Sequence, residues 1–337
     1  MTKRVAINGF GRTGRQALKT IWYQHRDTLQ IAAIGLEDME DVPAAAHLLK
    51  HDSNYGRFDA PVSVADSELS VGDWRIPLVA AERLEDLPWA DLGIDIVLEA
   101  SGAFMGGRSA AGHIEAGARK VVITAESDTA DFTMIYGVNE DEYDPRKHHV
   151  VSADTETTNA LAVVLRAMLS GYEIENAVVS AVRAYTNTQK LIDSTDSDLR
   201  RARSAPTSIV PTRSRATTAV ADVVPEVAGR IRGYAVRVPV PVVSILELTL
   251  QLSSEATADA INEVIREAAA GPLGRVLAVS EDELVSTDFR RSEYSAVLDA
   301  PSTMTNGRLA KLSAWYDNEW GYSSRVGDVA DVIAERG

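Results

Sequence analysis

The chain contains no cysteine. That excludes disulfides, thiolate metal sites and thiol nucleophiles, and it removes redox chemistry as a guide to compartment. Histidine is sparse as well: His25, His47, His51, His113, His148 and His149, with none beyond residue 149. The second half of the chain therefore lacks both side chains of a Cys–His catalytic pair. Long hydrophobic runs are missing, since no stretch approaches the ~18 consecutive apolar residues that suggest a membrane-spanning helix. Positive charge is in deficit, with 34 Lys+Arg against 49 Asp+Glu and a formal net charge of −15. That balance argues against nucleic acid or an anionic membrane surface as a partner. Residues Met1-Thr2-Lys3-Arg4 run straight into a strand-like segment with no small-residue cleavage site, so no secretory leader is expected, and a cytoplasmic location follows by default.

What remains is an ordinary globular composition, 45% hydrophobic and 25% charged over 337 residues. A chain of that length suggests about two domains, each able to build a core without metals or disulfides. The acidic residues form no recognisable metal motif and His148-His149 has no partner at ligand spacing, so no metal is expected.

Strand-like segments at 4–8, 29–36, 94–99, 120–124 and 132–136 alternate with helical ones, among them 109–117. This pattern predicts an α/β domain built on a doubly wound parallel sheet. The pattern changes near residue 150. A helix is predicted at 157–170, and near period-2 alternation over 177–186, 233–240, 244–252 and 309–316 predicts an α+β domain with an antiparallel sheet. Thr257 is placed to cap a helix over 257–270 that closes near Gly271-Pro272, and a last helix is expected at 326–335. The polar stretch 187–213 carries Arg200, Arg201 and Arg203, with Arg215 close behind; a connection that long is usually functional.

The first strand runs into Asn8-Gly9-Phe10-Gly11-Arg12-Thr13-Gly14 and then a helix. In such a turn the first glycine permits the tight bend, the second lets a pyrophosphate approach the backbone, and the third lets helix and strand pack. An acid at the end of the second strand would bind a ribose hydroxyl, and Glu37-Asp38 fills that place. The candidate cofactor-binding set is therefore Asn8 to Gly14 with Asp38. A carboxylate there repels a 2′-phosphate, so NAD is expected ahead of NADP.

Together with Ile7-Asn8-Gly9-Phe10-Gly11-Arg12, the segments His47-Leu48-Leu49-Lys50-His51-Asp52-Ser53, Tyr185-Thr186-Asn187, Asp198-Leu199-Arg200-Arg201-Ala202-Arg203, Arg237-Val238-Pro239 and Trp315-Tyr316-Asp317-Asn318-Glu319-Trp320-Gly321-Tyr322 closely resemble the phosphorylating glyceraldehyde-3-phosphate dehydrogenases. The resemblance implies a Rossmann-type NAD-binding domain over 1–151, completed by a C-terminal helix at 318–337, and a catalytic domain over 152–317. It also implies a homotetramer. Asn318 and Tyr322 match positions close to the nicotinamide carboxamide, and Ser101-Gly102 resembles a loop lining the cofactor cleft. Ser194-Thr195 stands where relatives that accept NADP often carry small hydroxyl residues, which keeps NADP possible.

One segment departs from the family. Its Ser-x-Ala-Ser-Cys-Thr-Thr-Asn-Cys pattern is here Ser152-Ala153-Asp154-Thr155-Glu156-Thr157-Thr158-Asn159-Ala160, so Glu156 takes the place of the nucleophilic thiol. Arg183, before Ala184-Tyr185-Thr186, takes the place of the activating histidine. The resemblance further assigns substrate and phosphate contacts to Thr155, Thr157, Thr186, Thr188, Arg213, Ser214, Arg215 and Arg237, with Arg215 replacing a family glycine. Oxidative phosphorylation of an aldehyde needs a nucleophile that can form a thioester, which a carboxylate cannot replace. Three readings stay open. One is a repurposed NAD(P)-binding enzyme acting on a small phosphorylated or anionic metabolite, with Glu156 as general base and Arg183 as anion anchor, by hydride transfer or by lyase or isomerase chemistry. The second is a catalytically inactive cofactor-binding homologue with a regulatory or assembly role. The third is a scaffold that no longer binds a cofactor.

Overall fold

The computed structural model describes residues 2–337. It divides into two compact units, one running to Thr155 and completed by Ser323–Gly337, the other Glu156–Tyr322.

The first unit is built on a nine-stranded sheet in the order Phe132–Thr133, Val150–Ser152, Lys120–Ile123, Ile96–Glu99, Lys3–Asn8, Leu29–Gly35, Trp74–Val79, Glu68–Val71, Val62–Ala65. Pairing is parallel through Trp74–Val79 and antiparallel for the last two strands. Val5, Ala6, Ile7, Ile31, Ile34, Val97, Leu98, Val121 and Val122 are all fully buried, which is why these strands read as continuous apolar runs rather than alternating ones. The predicted helix over 109–117 is two short pieces, Gly107–Ala110 and Gly112–Glu115. A Cβ on Gly107 would lie 1.9 Å from the Thr129 carbonyl oxygen and one on Gly112 3.0 Å from Leu84 Cβ, so both glycines serve close packing, while Ala111 between the pieces keeps helical dihedrals. Of the strand expected at 132–136, only Phe132–Thr133 pairs.

The second unit carries a sheet in the order Val210–Thr212, Ile231–Val238, Ile174–Ala184, Ser244–Leu252, Leu309–Tyr316, Ala296–Asp299, Leu277–Ser280. It is mixed rather than wholly antiparallel: Ile174–Ala184 runs parallel to Ile231–Val238, and Leu277–Ser280 parallel to Ala296–Asp299. Period-2 alternation reports one-sided burial and is silent on strand direction. Helix Glu156–Leu169 is almost wholly buried against the sheet. Helix Ala258–Ala270 begins where Thr257 Oγ1 accepts the Ala260 N–H at 3.2 Å, the expected cap. The C-terminal helix Trp320–Arg336 starts earlier than 326, because the Asp317 carboxylate accepts the N–H groups of Glu319 and Trp320 at 3.0 and 2.8 Å.

From Ser323 on this helix is part of the first unit, where it packs beside helix Arg12–Gln24 through a charged cluster. His25 lies 3.1 Å from Asp328 and 3.2 Å from Asp331, and Arg325 lies 2.6 Å from Asp328, with His25, Arg325 and Asp328 all buried. Burial alone would lower the His25 pKa; the two carboxylates outweigh it and raise it from 6.5 to about 9. A pKa raised in the folded state contributes stability that is fully present below 6.5 and is lost as pH rises through about 9. The shift corresponds to roughly 3 kcal/mol. Melting temperatures at pH 6 and pH 9.5 are expected to diverge for the wild type, and the difference is expected to shrink in His25→Leu. Equal pH dependence in the two proteins would rule out this linkage.

Candidate functional site

In the first unit the glycine turn joins Lys3–Asn8 to helix Arg12–Gln24. Gly11 stands at the N-cap, with no side chain capping the first turn. Gly9 has φ +90°, and a Cβ there would lie 2.4 Å from the Ser101 backbone; a Cβ on Gly14 would lie 2.2 Å from the Gly9 carbonyl oxygen. Over Gly11 nothing lies within 4 Å of the added Cβ position, so the backbone can be approached closely there. This cradle fits a dinucleotide pyrophosphate: two glycines close the turn and the third leaves the approach clear. Phe10 is buried beneath it. Arg12 is drawn to Asp52, 2.7 Å away, rather than standing alone over the turn, and Thr13 sits half-buried in the first helical turn. Asp38 lies three residues past the end of Leu29–Gly35. It is exposed, with Oδ1 accepting the Glu40 N–H at 2.9 Å. Ser101 and Gly102 (φ +76°) follow strand Ile96–Glu99. Thr155 ends this unit, its N–H donated to Asp154 Oδ1 at 2.6 Å.

In the second unit Glu156 is the first residue of helix Glu156–Leu169, where the helix dipole favours a carboxylate. Arg183 lies near the end of strand Ile174–Ala184 and its guanidinium is ion-paired with Glu156, both side chains 16% exposed. Arg183 and Arg237 are register partners on neighbouring parallel strands. They therefore project from one face of the sheet, about 5 Å apart at the backbone. Glu156 neutralises the first. Arg237 has only neutral partners among its described hydrogen bonds, the Ala184 carbonyl at 3.0 Å and Thr186 Oγ1 at 3.1 Å. Burial, then the nearby Arg183 and Arg201, push its pKa down from 12.5 to about 10. Arg237 stays charged at neutral pH, and an anion beside it would relieve that crowding. Thr188 Oγ1 lies 3.1 Å from Thr186 Oγ1, extending the site with a second hydroxyl.

Thr157, beside Glu156, is buried, with its hydroxyl 3.1 Å from that of Tyr316, which is itself near Arg237. Val210 pairs with Arg237 and Thr212 with Ala235, and the strand ends there, before residues 213–215. Arg213, Ser214 and Arg215 line a separate open groove of about 960 Å³ with Leu199, Arg200 and Tyr234. Arg201 was one of several arginines in the polar stretch, and only its placement beside Arg237 distinguishes it. Asn318 Oδ1 accepts the N–H of Val243, a buried β-branched residue at φ +71°, a strained conformation that this bond helps to hold. Tyr322 is buried at the end of the same unit. Among the described residues no group of three or more His, Asp or Glu could hold a metal, and no helix is long and apolar enough to cross a membrane.

Comparison with known proteins matches two family descriptions. "Glyceraldehyde 3-phosphate dehydrogenase, NAD binding domain" matches residues 3–107, and "Glyceraldehyde 3-phosphate dehydrogenase, C-terminal domain" matches 156–318. The chain is 43% identical over 338 residues to the glyceraldehyde-3-phosphate dehydrogenase of Geobacillus stearothermophilus, covering all of both chains. It is 42% identical over 333 residues to that of Kitasatospora aureofaciens, covering 99% of each. It is 42% identical over 335 residues to glyceraldehyde-3-phosphate dehydrogenase A, chloroplastic, of Zea mays, covering 99% of this chain and 83% of the other.

Proposed function

Because this chain belongs to the glyceraldehyde-3-phosphate dehydrogenase family and yet contains no cysteine, we propose that it is an NAD-binding enzyme with thiol-independent chemistry on a small phosphorylated metabolite. The observation that carries this reading is the cluster Glu156–Arg183 beside Arg237 and Thr186. The phosphate of the substrate binds Arg237 and the hydroxyls of Thr186 and Thr188, since charge-assisted bonds to a phosphate are strong and Arg237 otherwise has only neutral partners. Arg183 stabilises negative charge that develops on the reacting group. Glu156 takes the proton from a substrate hydroxyl or carbon acid. NAD, when bound, supplies a hydride acceptor, so oxidation of an alcohol to a carbonyl needs no covalent intermediate; lyase or isomerase chemistry uses the same base. Asp38 favours NAD over NADP by repelling a 2′-phosphate.

The chain also assembles with copies of itself, as the resemblance implies. Val178, Leu191, Ile192, Leu199 and Tyr234 of the second unit are half or more exposed, a surface that self-association would cover.

The test is absorbance at 340 nm with NAD or NADH and a panel of phosphorylated alcohols, aldehydes and ketones, without added inorganic phosphate. Turnover of one of them is expected, falling about 10²–10⁴-fold in Glu156→Gln. Undiminished turnover in Glu156→Gln would remove Glu156 as base. NAD binding with no turnover across the panel would favour the inactive homologue.

A further inference from the structure

Glu99 is a buried carboxylate that no step above uses. It is 2% exposed and ends strand Ile96–Glu99, in register with Asn8 at the end of Lys3–Asn8. Its Oε1 accepts the Ser101 N–H at 2.8 Å and the Ser101 hydroxyl. Its Oε2 accepts Asn8 Nδ2 at 2.7 Å and lies 2.9 Å from His113 Nε2. A carboxylate offers about four acceptor sites, so all are filled from within the chain. His113 is itself fully buried, and its Nδ1 lies 3.0 Å from Trp89 Nε1. An indole N–H only donates, which puts the His113 ring proton on Nε2, aimed at Glu99.

We infer that Glu99, held by His113 and Trp89, is the positioning residue that presets the dinucleotide-binding mouth of the first unit. This rests on the NAD-binding reading above. One end of the Asn8 carboxamide is tied to Glu99. The other lies against Gly35, where an added Cβ would be 2.3 Å from Asn8 Oδ1. The side chain thus spans the ends of three neighbouring strands, since Asn8 is in register with both Gly35 and Glu99. On the other side Glu99 fixes Ser101, whose backbone is so close to Gly9 that a Cβ there would meet it at 2.4 Å. Moving the carboxylate shifts Ser101 and Asn8 together, and with them the Gly9 peptide from which the phosphate-facing turn continues. An apolar side chain would avoid the cost of burying a charge. What the carboxylate adds is simultaneous grip on two loops, which no apolar group has.

The test measures NAD affinity and apo melting temperature in Glu99→Gln, His113→Leu and His113→Gln, at a temperature where circular dichroism shows each protein folded. In Glu99→Gln an amide N–H replaces an acceptor and faces donors. The NAD Kd is expected to rise about tenfold or more, and likewise in His113→Leu. His113→Gln, which keeps a donor toward Glu99, is expected to recover most of the affinity. A purely structural role predicts a lower apo melting temperature with NAD Kd unchanged within about twofold, and that result overturns the inference. If the Glu99 and His113 variants do not fold, Trp89→Phe decides, because it removes the indole donor that orients His113 toward Glu99 and lies outside the candidate cofactor contacts: a Kd raised about threefold supports the inference and an unchanged one overturns it. Absence of NAD binding in the wild type would bring down the cofactor reading and the inference together. Wild-type binding with unaffected variants removes only the inference.

Discussion

Purified protein given glyceraldehyde 3-phosphate, NAD and inorganic phosphate is expected to form NADH at a rate on the order of 10⁴-fold or more below the Geobacillus stearothermophilus relative assayed alongside. Hydride can leave an aldehyde carbon only after a nucleophile has added to it. In the phosphorylating route that adduct is a hemithioacetal; loss of hydride gives a thioester, and phosphate displaces the thiolate. A carboxylate adds weakly and its adduct collapses back to the aldehyde. The chain has no cysteine anywhere to take its place and no histidine after residue 149. Arg183 cannot act as a base at neutral pH. Iodoacetamide is expected to leave any turnover of this protein untouched. Glu156→Cys combined with Arg183→His is expected to make phosphate-dependent NADH formation detectable and iodoacetamide-sensitive. Robust phosphate-dependent NADH formation by the wild type would contradict the assignment outright.

Glu156→Gln is expected to lower the stability of the second unit by about 2–3 kcal/mol, somewhat less than the ~3–5 kcal/mol lost when one partner of a fully buried ion pair is removed. The pair's side chains are 16% exposed, so water takes up part of the loss. The larger part comes from leaving Arg183 unneutralised beside Arg237, its register partner. A fall in melting temperature of about 5–10 °C is the expected reading. Inorganic phosphate is then expected to restore more of the melting temperature in Glu156→Gln than it adds to the wild type, because two unneutralised guanidiniums instead of one face the anion. Arg237→Ala is expected to abolish the phosphate response in the wild-type background and to weaken it in Glu156→Gln, where Arg183 still faces the anion. If phosphate stabilises wild type and Glu156→Gln equally, Glu156 does not neutralise the anion site. Scanning calorimetry with and without phosphate separates these outcomes.

The arrangement of the first unit was legible because its strands are buried on both faces and its turn needs glycines for reasons of backbone sterics. Gly9, Gly11 and Gly14 announce their roles in order, and the structure gives each the expected surroundings. Cap chemistry was legible where one residue decides it, as at Thr257. Strand direction in the second unit was not, because alternation in Ile174–Ala184 and Ile231–Val238 is the same whichever way they pair.

Composition alone determined that this chain carries no thiol. The missing thiol is a covalent fact, independent of folding, and the proposal of thiol-independent chemistry starts from it. Where charges stand relative to one another was decided only in three dimensions. Arg183 and Arg237 become neighbours because a long crossover returns the chain in parallel register. Arg213 and Arg215 line a groove that does not include Arg237. Thr157 turns to Tyr316, far along the chain. Glu99 gathers Asn8, Ser101 and His113 around one carboxylate. Electrostatics and hydrogen bonding act over a few ångströms of space, and spacing along the chain does not encode that distance once the contact is long-range.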